Sequence, residues 1–188
     1  MTATESQGGV AAPALPRLPA RLHHHAFVVK DQEATRRFYE DVLGIPLAAT
    51  WCEKAELFGK ERTYCHTFYE IADGSALAFF QFADPADVAE FGLAKPPSPF
   101  DHFAMKVDQE TQEAMIARVE ANGLQHMTID HGYCVSFYTW DPDGLMIEFT
   151  VDPPDAGEIA AMRRKDAHSE LARWLAGDHT PNNDIRDH

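Results

Sequence analysis

Three side chains far apart in the chain, His24, His102 and Glu148, are of the types that bind a divalent metal. The two histidines stand at matching points of an internal repeat. His24-His25-Ala26-Phe27-Val28-Val29 before Asp31-Gln32-Glu33 resembles His102-Phe103-Ala104-Met105-Lys106-Val107 before Asp108-Gln109-Glu110, at an interval of 78 residues for the histidines and 77 for the Asp-Gln-Glu. Such histidines can face one another if the two halves pack about a pseudo-twofold axis. Strand alternation puts His24 on one side with Ala26 and Val28, and His23 and His25 on the other. The repeat aligns His24, rather than either neighbour, with His102. Glu148 lies in Gly144-Leu145-Met146-Ile147-Glu148-Phe149, and a carboxylate among apolar strand residues is costly to bury unless a cation or a hydrogen-bond partner meets it. Its counterpart in the first half is Ala78, so the expected site has three protein ligands. Two imidazoles and one carboxylate leave positions open for substrate and for oxygen or water, as in non-haem Fe(II) oxygenases. A structural zinc site would be closed, and more often built with thiolates.

The elements that must position these groups follow from the same repeat. Each copy reads as a strand, then a helix whose start is marked by an Asp able to cap the free N–H groups of the first turn. Residues 33–43 present Phe38, Val42 and Leu43 to a core and stop at Gly44; residues 110–121 present Met115, Ile116 and Val119 and stop at Asn122-Gly123. Further on, Phe68-Tyr69 with Asp73-Gly74 and Phe79 matches Phe137-Tyr138 with Asp143-Gly144 and Phe149, at intervals of 69 and then 70. Each Asp-Gly between apolar runs signals a hairpin. The shortening from 78 to 70 places extra residues in the first half around Trp51 to Arg62, expected as a loop over the site. Residues 156–176 read as an appended helix, capped by Asp155 and packed on the sheet or a second subunit. A polar, loosely ordered tail follows. The divisions are a flexible leader (1–19), a first module (20–97), a second module (98–152), and a C-terminal helix with its tail (153–188).

Composition narrows the class. With 45% hydrophobic and 24% charged residues the chain is globular, and no apolar run approaches a membrane span. A net charge of −14 argues against nucleic acid or an anionic membrane as partner. The first nineteen residues lack the features of a secretory signal. Cys52, Cys65 and Cys134 match neither a disulfide framework nor a zinc ribbon, so a reducing cytoplasm is expected, with the thiols as small buried apolar groups.

Residues 21–152 resemble the vicinal oxygen chelate superfamily of glyoxalases, extradiol dioxygenases, epimerases and fosfomycin-inactivating transferases. The resemblance is carried by Leu22-His23-His24-His25-Ala26-Phe27, Phe38-Tyr39-Glu40-Asp41-Val42-Leu43-Gly44, Asp101-His102-Phe103-Ala104, and the run from Tyr138 through Asp141-Pro142-Asp143-Gly144 to Glu148. It implies an α+β fold of paired βαβββ modules that form a cup-shaped mixed sheet around a metal, whose substrates chelate the ion through two adjacent oxygens. Glyoxalases of the superfamily generally use a fourth ligand, a Glu, where this chain has Ala78. The segment Tyr64-Cys65-His66-Thr67 looks like the strand bearing the acid–base histidine of extradiol enzymes, and His131 with Tyr138 looks like their second histidine and tyrosine. The implied activity is therefore a ring-cleaving dioxygenase on a catechol-like substrate. Fe(II) is the expected metal, with Mn(II) or another divalent ion as alternative, and a homodimer is the expected assembly. In this reading His66 moves protons and Tyr138 hydrogen-bonds a substrate oxygen. Trp51, Phe68, Phe80, Tyr133 and Phe137 are candidates to wall a planar substrate. Two alternatives stand beside it: a lyase, isomerase or epimerase acting through a metal-bound enediolate, and a non-catalytic small-molecule binding module.

Overall fold

The structure, a computed structural model, describes residues 20–92, 98 and 100–185. The leader expected over 1–19 lies outside them. In the first module β1 (His24–Val28) leads into α1 (Gln32–Arg36), which continues as a π-helical turn (Arg37–Val42), then β2 (Leu47–Leu57), β3 (Lys60–Glu70) and β4 (Ala76–Phe82). A short α2 (Pro85–Phe91) connects to the second module: β5 (His102–Lys106), α3 (Gln109–Ala121), β6 (His126–Asp130), β7 (Val135–Trp140) and β8 (Met146–Val151). The long α4 (Ala156–Leu175) follows. Each module forms a four-stranded mixed sheet, ordered β1-β4-β3-β2 and β5-β8-β7-β6, with the first and last strands of each module parallel. This is the expected α+β pair of βαβββ units. No described helix is long and apolar enough to cross a membrane.

The local signals behave as their chemistry requires. Asp31 accepts from the N–H groups of Glu33 and Ala34, and Asp108 accepts from Thr111, so both helices start on a carboxylate cap. Gly44 has φ of 79°, the left-handed conformation that ends the helix without a Cβ penalty.

Strand register tests the repeat. His24 pairs with Ala76 and Ala26 with Ala78, while His102 pairs with Met146 and Ala104 with Glu148. His24 is thus equivalent to His102, and Ala78 to Glu148. The neighbouring strand corrects one detail: Phe68 lies opposite Ala78 and Tyr138 opposite Glu148, so Tyr138 matches Phe68, one residue away from the pairing with Tyr69. A one-residue shift swaps faces, so the correction puts Phe68 on the ligand side and Tyr69 in the core.

The residues around Trp51 to Arg62 form no loop. They extend β2 and β3 into a long hairpin that turns at Phe58-Gly59, both at positive φ, 54° and 77°. That is the two-residue turn matching strand twist, reached here without the usual Asn-Gly or Asp-Gly signal. α2 clamps the hairpin. The buried Arg62 guanidinium is neutralised by Asp87 and by Glu90 at 2.8 Å, and its Nε donates to the Leu57 carbonyl at 3.1 Å.

One core serves both modules. Val29, Phe38, Tyr39, Tyr69, Leu77 and Phe79 of the first cluster with Met105, Val119, Phe137, Ile147 and Phe149 of the second. The Tyr39 hydroxyl donates to Asp141 Oδ2 at 3.2 Å across the junction, and Asp141 also accepts from the N–H groups of Asp143 and Leu145. Burial raises the Asp141 carboxyl above its ordinary range.

The C-terminal segment departs from expectation at the Asp155 cap and in its tail. Asp155 makes no side-chain cap, because its own near-helical dihedrals (φ −96°, ψ 13°) carry the carboxylate away from the first-turn amides. No residue of α4 is buried, and Trp174 and Leu171 are more than half exposed. The tail is tied down as far as residue 185; 186–188 lie outside the described residues. Of the three free thiols only Cys134 is buried; Cys52 is exposed and faces Cys65 across β2 and β3.

Candidate metal centre

The second module assembles a chain of polar contacts on the sheet face that looks away from the shared core. His102, at the start of β5, donates Nδ1–H to the Phe100 carbonyl at 2.9 Å. A neutral imidazole held in that tautomer presents a lone pair at Nε2, and Nε2 lies 2.8 Å from Glu148 Oε2. Two acceptors so close need a proton or a metal ion between them. Glu148, only 6% exposed, accepts from the Tyr138 hydroxyl at 2.9 Å through its other oxygen, and His131 Nε2 lies 2.9 Å from the same hydroxyl. Burial first, then the Glu148 carboxylate, push the Tyr138 hydroxyl up to about 12, so it stays a hydrogen-bond donor at neutral pH. The donor set therefore fits a divalent ion at the His102 and Glu148 pair.

His24 sits elsewhere. On the outward face of the first sheet its ring lies 5.5 Å from Phe68 and 6.1 Å from His66, and its Nδ1 is 2.8 Å from His23 Nδ1. Among the described residues, no group of three or more His, Cys, Asp or Glu gathers to hold a metal. The structure thus brings His102, Glu148, Tyr138 and His131 together, and it places His24 with His66 on the other module. On each sheet the core residues and the ligand-bearing residues alternate, with α1 and α3 packed on the core sides, so both ligand-bearing faces look away from the shared core.

The face around His24 is aromatic. His66 stacks on Phe80 at 3.6 Å and 17°, with Phe68 tilted against it at 4.3 Å and Trp51 opposite it on β2. Trp51 is 58% exposed. Burial, then the neighbouring His24, lower the His66 pKa, so its imidazole is neutral at pH 7; its Nε2 is closed from solvent and has no hydrogen-bond partner among the described residues. The strand cations on these two faces are committed: Lys60 to Asp84 and Asp87, Arg62 to Asp87 and Glu90, Lys106 to Asp152. One expected wall residue is reassigned to the core, and another is placed beside His131. Phe137 is fully buried in the core against Phe149, and Tyr133 stacks on His131 at 5.6 Å.

Sequence reasoning missed two supports. The Phe100 carbonyl that orients His102 carries no side-chain signal. His23 precedes β1, so strand alternation does not govern it, and its ring turns toward His24.

Comparison with known proteins agrees with this architecture. The profile described as Glyoxalase/Bleomycin resistance protein/Dioxygenase superfamily matches residues 21–149. A curated relative, "Glutathione transferase FosA" of Serratia marcescens, is 27% identical over 144 residues, covering 77% of this chain and 89% of that protein. Among solved structures, a mutant of the fosfomycin resistance protein FosX from Listeria monocytogenes, complexed with Mn(II) and 1S,2S-dihydroxypropylphosphonic acid, is 17% identical with a TM-score of 0.53, covering 73% of this chain and 97% of that one. A glyoxylase/bleomycin resistance protein/dioxygenase domain from Frankia sp. EAN1pec is 14% identical with a TM-score of 0.55, covering 72% and 100%. With the doubled βαβββ architecture and a profile match spanning most of its length, the chain belongs to the Glyoxalase/Bleomycin resistance protein/Dioxygenase superfamily, the vicinal oxygen chelate proteins.

Proposed function

We propose that this protein is a divalent-metal enzyme whose site is completed between two copies: His102 and Glu148 of one hold the ion together with His24 of the other. It acts on an aromatic substrate with two adjacent oxygens, by extradiol-type ring cleavage. The observation that carries the reading is the division of the ligands. A carboxylate–imidazole pair lies on one outward face, and the third histidine lies on a second outward face lined by Trp51, His66, Phe68 and Phe80. Closing the first face of one copy on the second face of another gives each ion its three ligands and covers exposed aromatic surface. Fe(II) or Mn(II) suits two imidazoles and a carboxylate. Such an ion supplies a Lewis acid for the two substrate oxygens.

The chain's own residues do the rest. His66, neutral at pH 7, is the group on this aromatic face placed to accept a substrate proton. Tyr138 holds Glu148 in orientation, and His131 holds Tyr138. The ring walls favour a planar ligand, and the paired cations favour an uncharged one over a phosphonate.

Mixing His24→Ala protein with Glu148→Ala protein tests the division. Neither variant alone should bind metal, whereas random heterodimers restore about a quarter of the sites, because half the dimers are mixed and each has one intact site. No recovery after subunit exchange would return the site to a single chain. The reaction is tested by loading metal anaerobically and following oxygen uptake over a set of catechols. Uptake with a yellow ring-fission product supports the reading. A second reading, thiol addition to an epoxide such as fosfomycin, is favoured by the relative FosA. Loss of glutathione with fosfomycin, and no oxygen uptake with any catechol, would establish it instead.

A further inference from the structure

The matched part of the family ends at residue 149, yet the chain beyond it reaches back to the candidate centre. After α4 the tail doubles back along its own helix. Arg173 donates to the carbonyls of Asp178 at 3.3 Å and Thr180 at 2.7 Å, Asn182 Nδ2 donates to Glu170 at 2.8 Å, and Arg163 pairs with Asp184 at 3.5 Å. Asn183 points the other way. Its Nδ2 donates to the His131 carbonyl at 3.0 Å, closing one side of a cavity of about 450 Å³ between Tyr133, Ile159, Arg163 and Ile185.

His131 lies in the turn between β6 and β7, beside Gly132 at φ 78°. Its N–H donates to the Cys134 carbonyl at 2.9 Å, which fixes the peptide before it. The peptide after it is held at both ends: the Gly132 N–H donates to Asp130 Oδ1 at 2.7 Å within the turn, and the His131 carbonyl accepts from Asn183, the tie that joins the turn to the tail. Losing the Asn183 tie leaves the turn restrained by Asp130 alone and loosens it beneath the ring, whose Nε2 must stay 2.9 Å from the Tyr138 hydroxyl to support the contact with Glu148.

We propose that Asn183 is a positioning residue for the metal centre, and that the C-terminal tail is thereby part of the working site. The inference rests on the reading of His102, Glu148 and Tyr138 as that centre. The tie itself can be tested without a substrate. In full-length zinc-loaded protein, long-range ¹H–¹⁵N spectra of the histidine rings, with His131 assigned from His131→Gln, should show one fixed tautomer for wild type. Asn183→Ala should convert it to an exchange-averaged signal. Asn183→Asp, which keeps the size and removes the donor, should do the same. An unmoved His131 signal in both variants overturns the proposal.

The functional arm measures turnover. Asn183→Ala should lower kcat roughly five- to tenfold, the change that one hydrogen bond of typical net strength produces, with KM and metal content unchanged. It should add nothing in a His131→Gln background; a full further loss there also overturns the proposal, since it shows that Asn183 acts by another route. Absence of turnover in wild type counts against the proposed reaction, and the ring spectra still decide the role of Asn183.

Discussion

At the residue scale, His66 is one of the few groups among the described residues with a buried polar atom left without a hydrogen-bond partner. Its ring is stacked on Phe80, its Nε2 is buried without a partner among the described residues, and burial beside His24 keeps it neutral at pH 7. His66→Phe should keep the metal and the aromatic stack while lowering kcat about 10²–10⁴-fold, the range typical of a lost acid–base group. Metal content alongside single-turnover rates checks this; an unchanged rate makes His66 a wall residue. The candidate ligands were legible as types because the repeat sets His24 against His102, and because an acid amid Leu145, Met146, Ile147 and Phe149 needs a cation or a hydrogen-bond partner. That His24 lies with His66 and Phe68 on the first module, apart from the His102 and Glu148 pair, was not legible, since alternation names a face and never what it faces.

At the element scale, the helix endings were readable because Gly has a distinct backbone and Asp a capping carboxylate. The long hairpin was not, since Lys54, Glu56, Lys60 and Glu61 give β2 and β3 the polarity of a loop, and Phe58-Gly59 gives no turn signal. The strand pairing was read one residue out at Phe68-Tyr69 because each half offers two adjacent aromatics, and only the register identifies the inward one. The end of the first helix allows a sharp test. Gly44 has φ of 79°, and a Cβ there would run into the Arg118 guanidinium, which donates to the Asp41 carbonyl at 3.2 Å. Gly44→Ala should cost ~1–2 kcal/mol for the left-handed backbone, a fall of roughly 2–8 °C in Tm for a chain of this size. Adding Arg118→Ala should return only the steric share. Full rescue by the second change would mean that the backbone angle costs nothing.

At the scale of the whole molecule, the two modules are joined by a shared core and by Tyr39 with Asp141. Because burial raises the Asp141 pKa, the folded chain holds that proton more tightly than the unfolded chain. The stability tied to it is full below the ordinary value of 3.8 and is lost as pH rises through the raised value. Asp141→Asn keeps an acceptor for the Asp143 and Leu145 amides and removes the titration. Its Tm relative to wild type should therefore rise between about pH 4 and pH 7. A constant Tm difference over that interval would show that Asp141 ionises without cost.

The outward placement of the two ligand faces has a thermodynamic corollary. If an ion needs donors from two chains, metal occupancy and self-association are two readings of a single equilibrium, and each must strengthen the other by the same factor. Diluting the loaded protein should release metal with no chelator present, and adding a chelator should loosen the dimer with no dilution. The ion then acts as a reversible rivet: a cell that withholds the metal also withholds the quaternary structure.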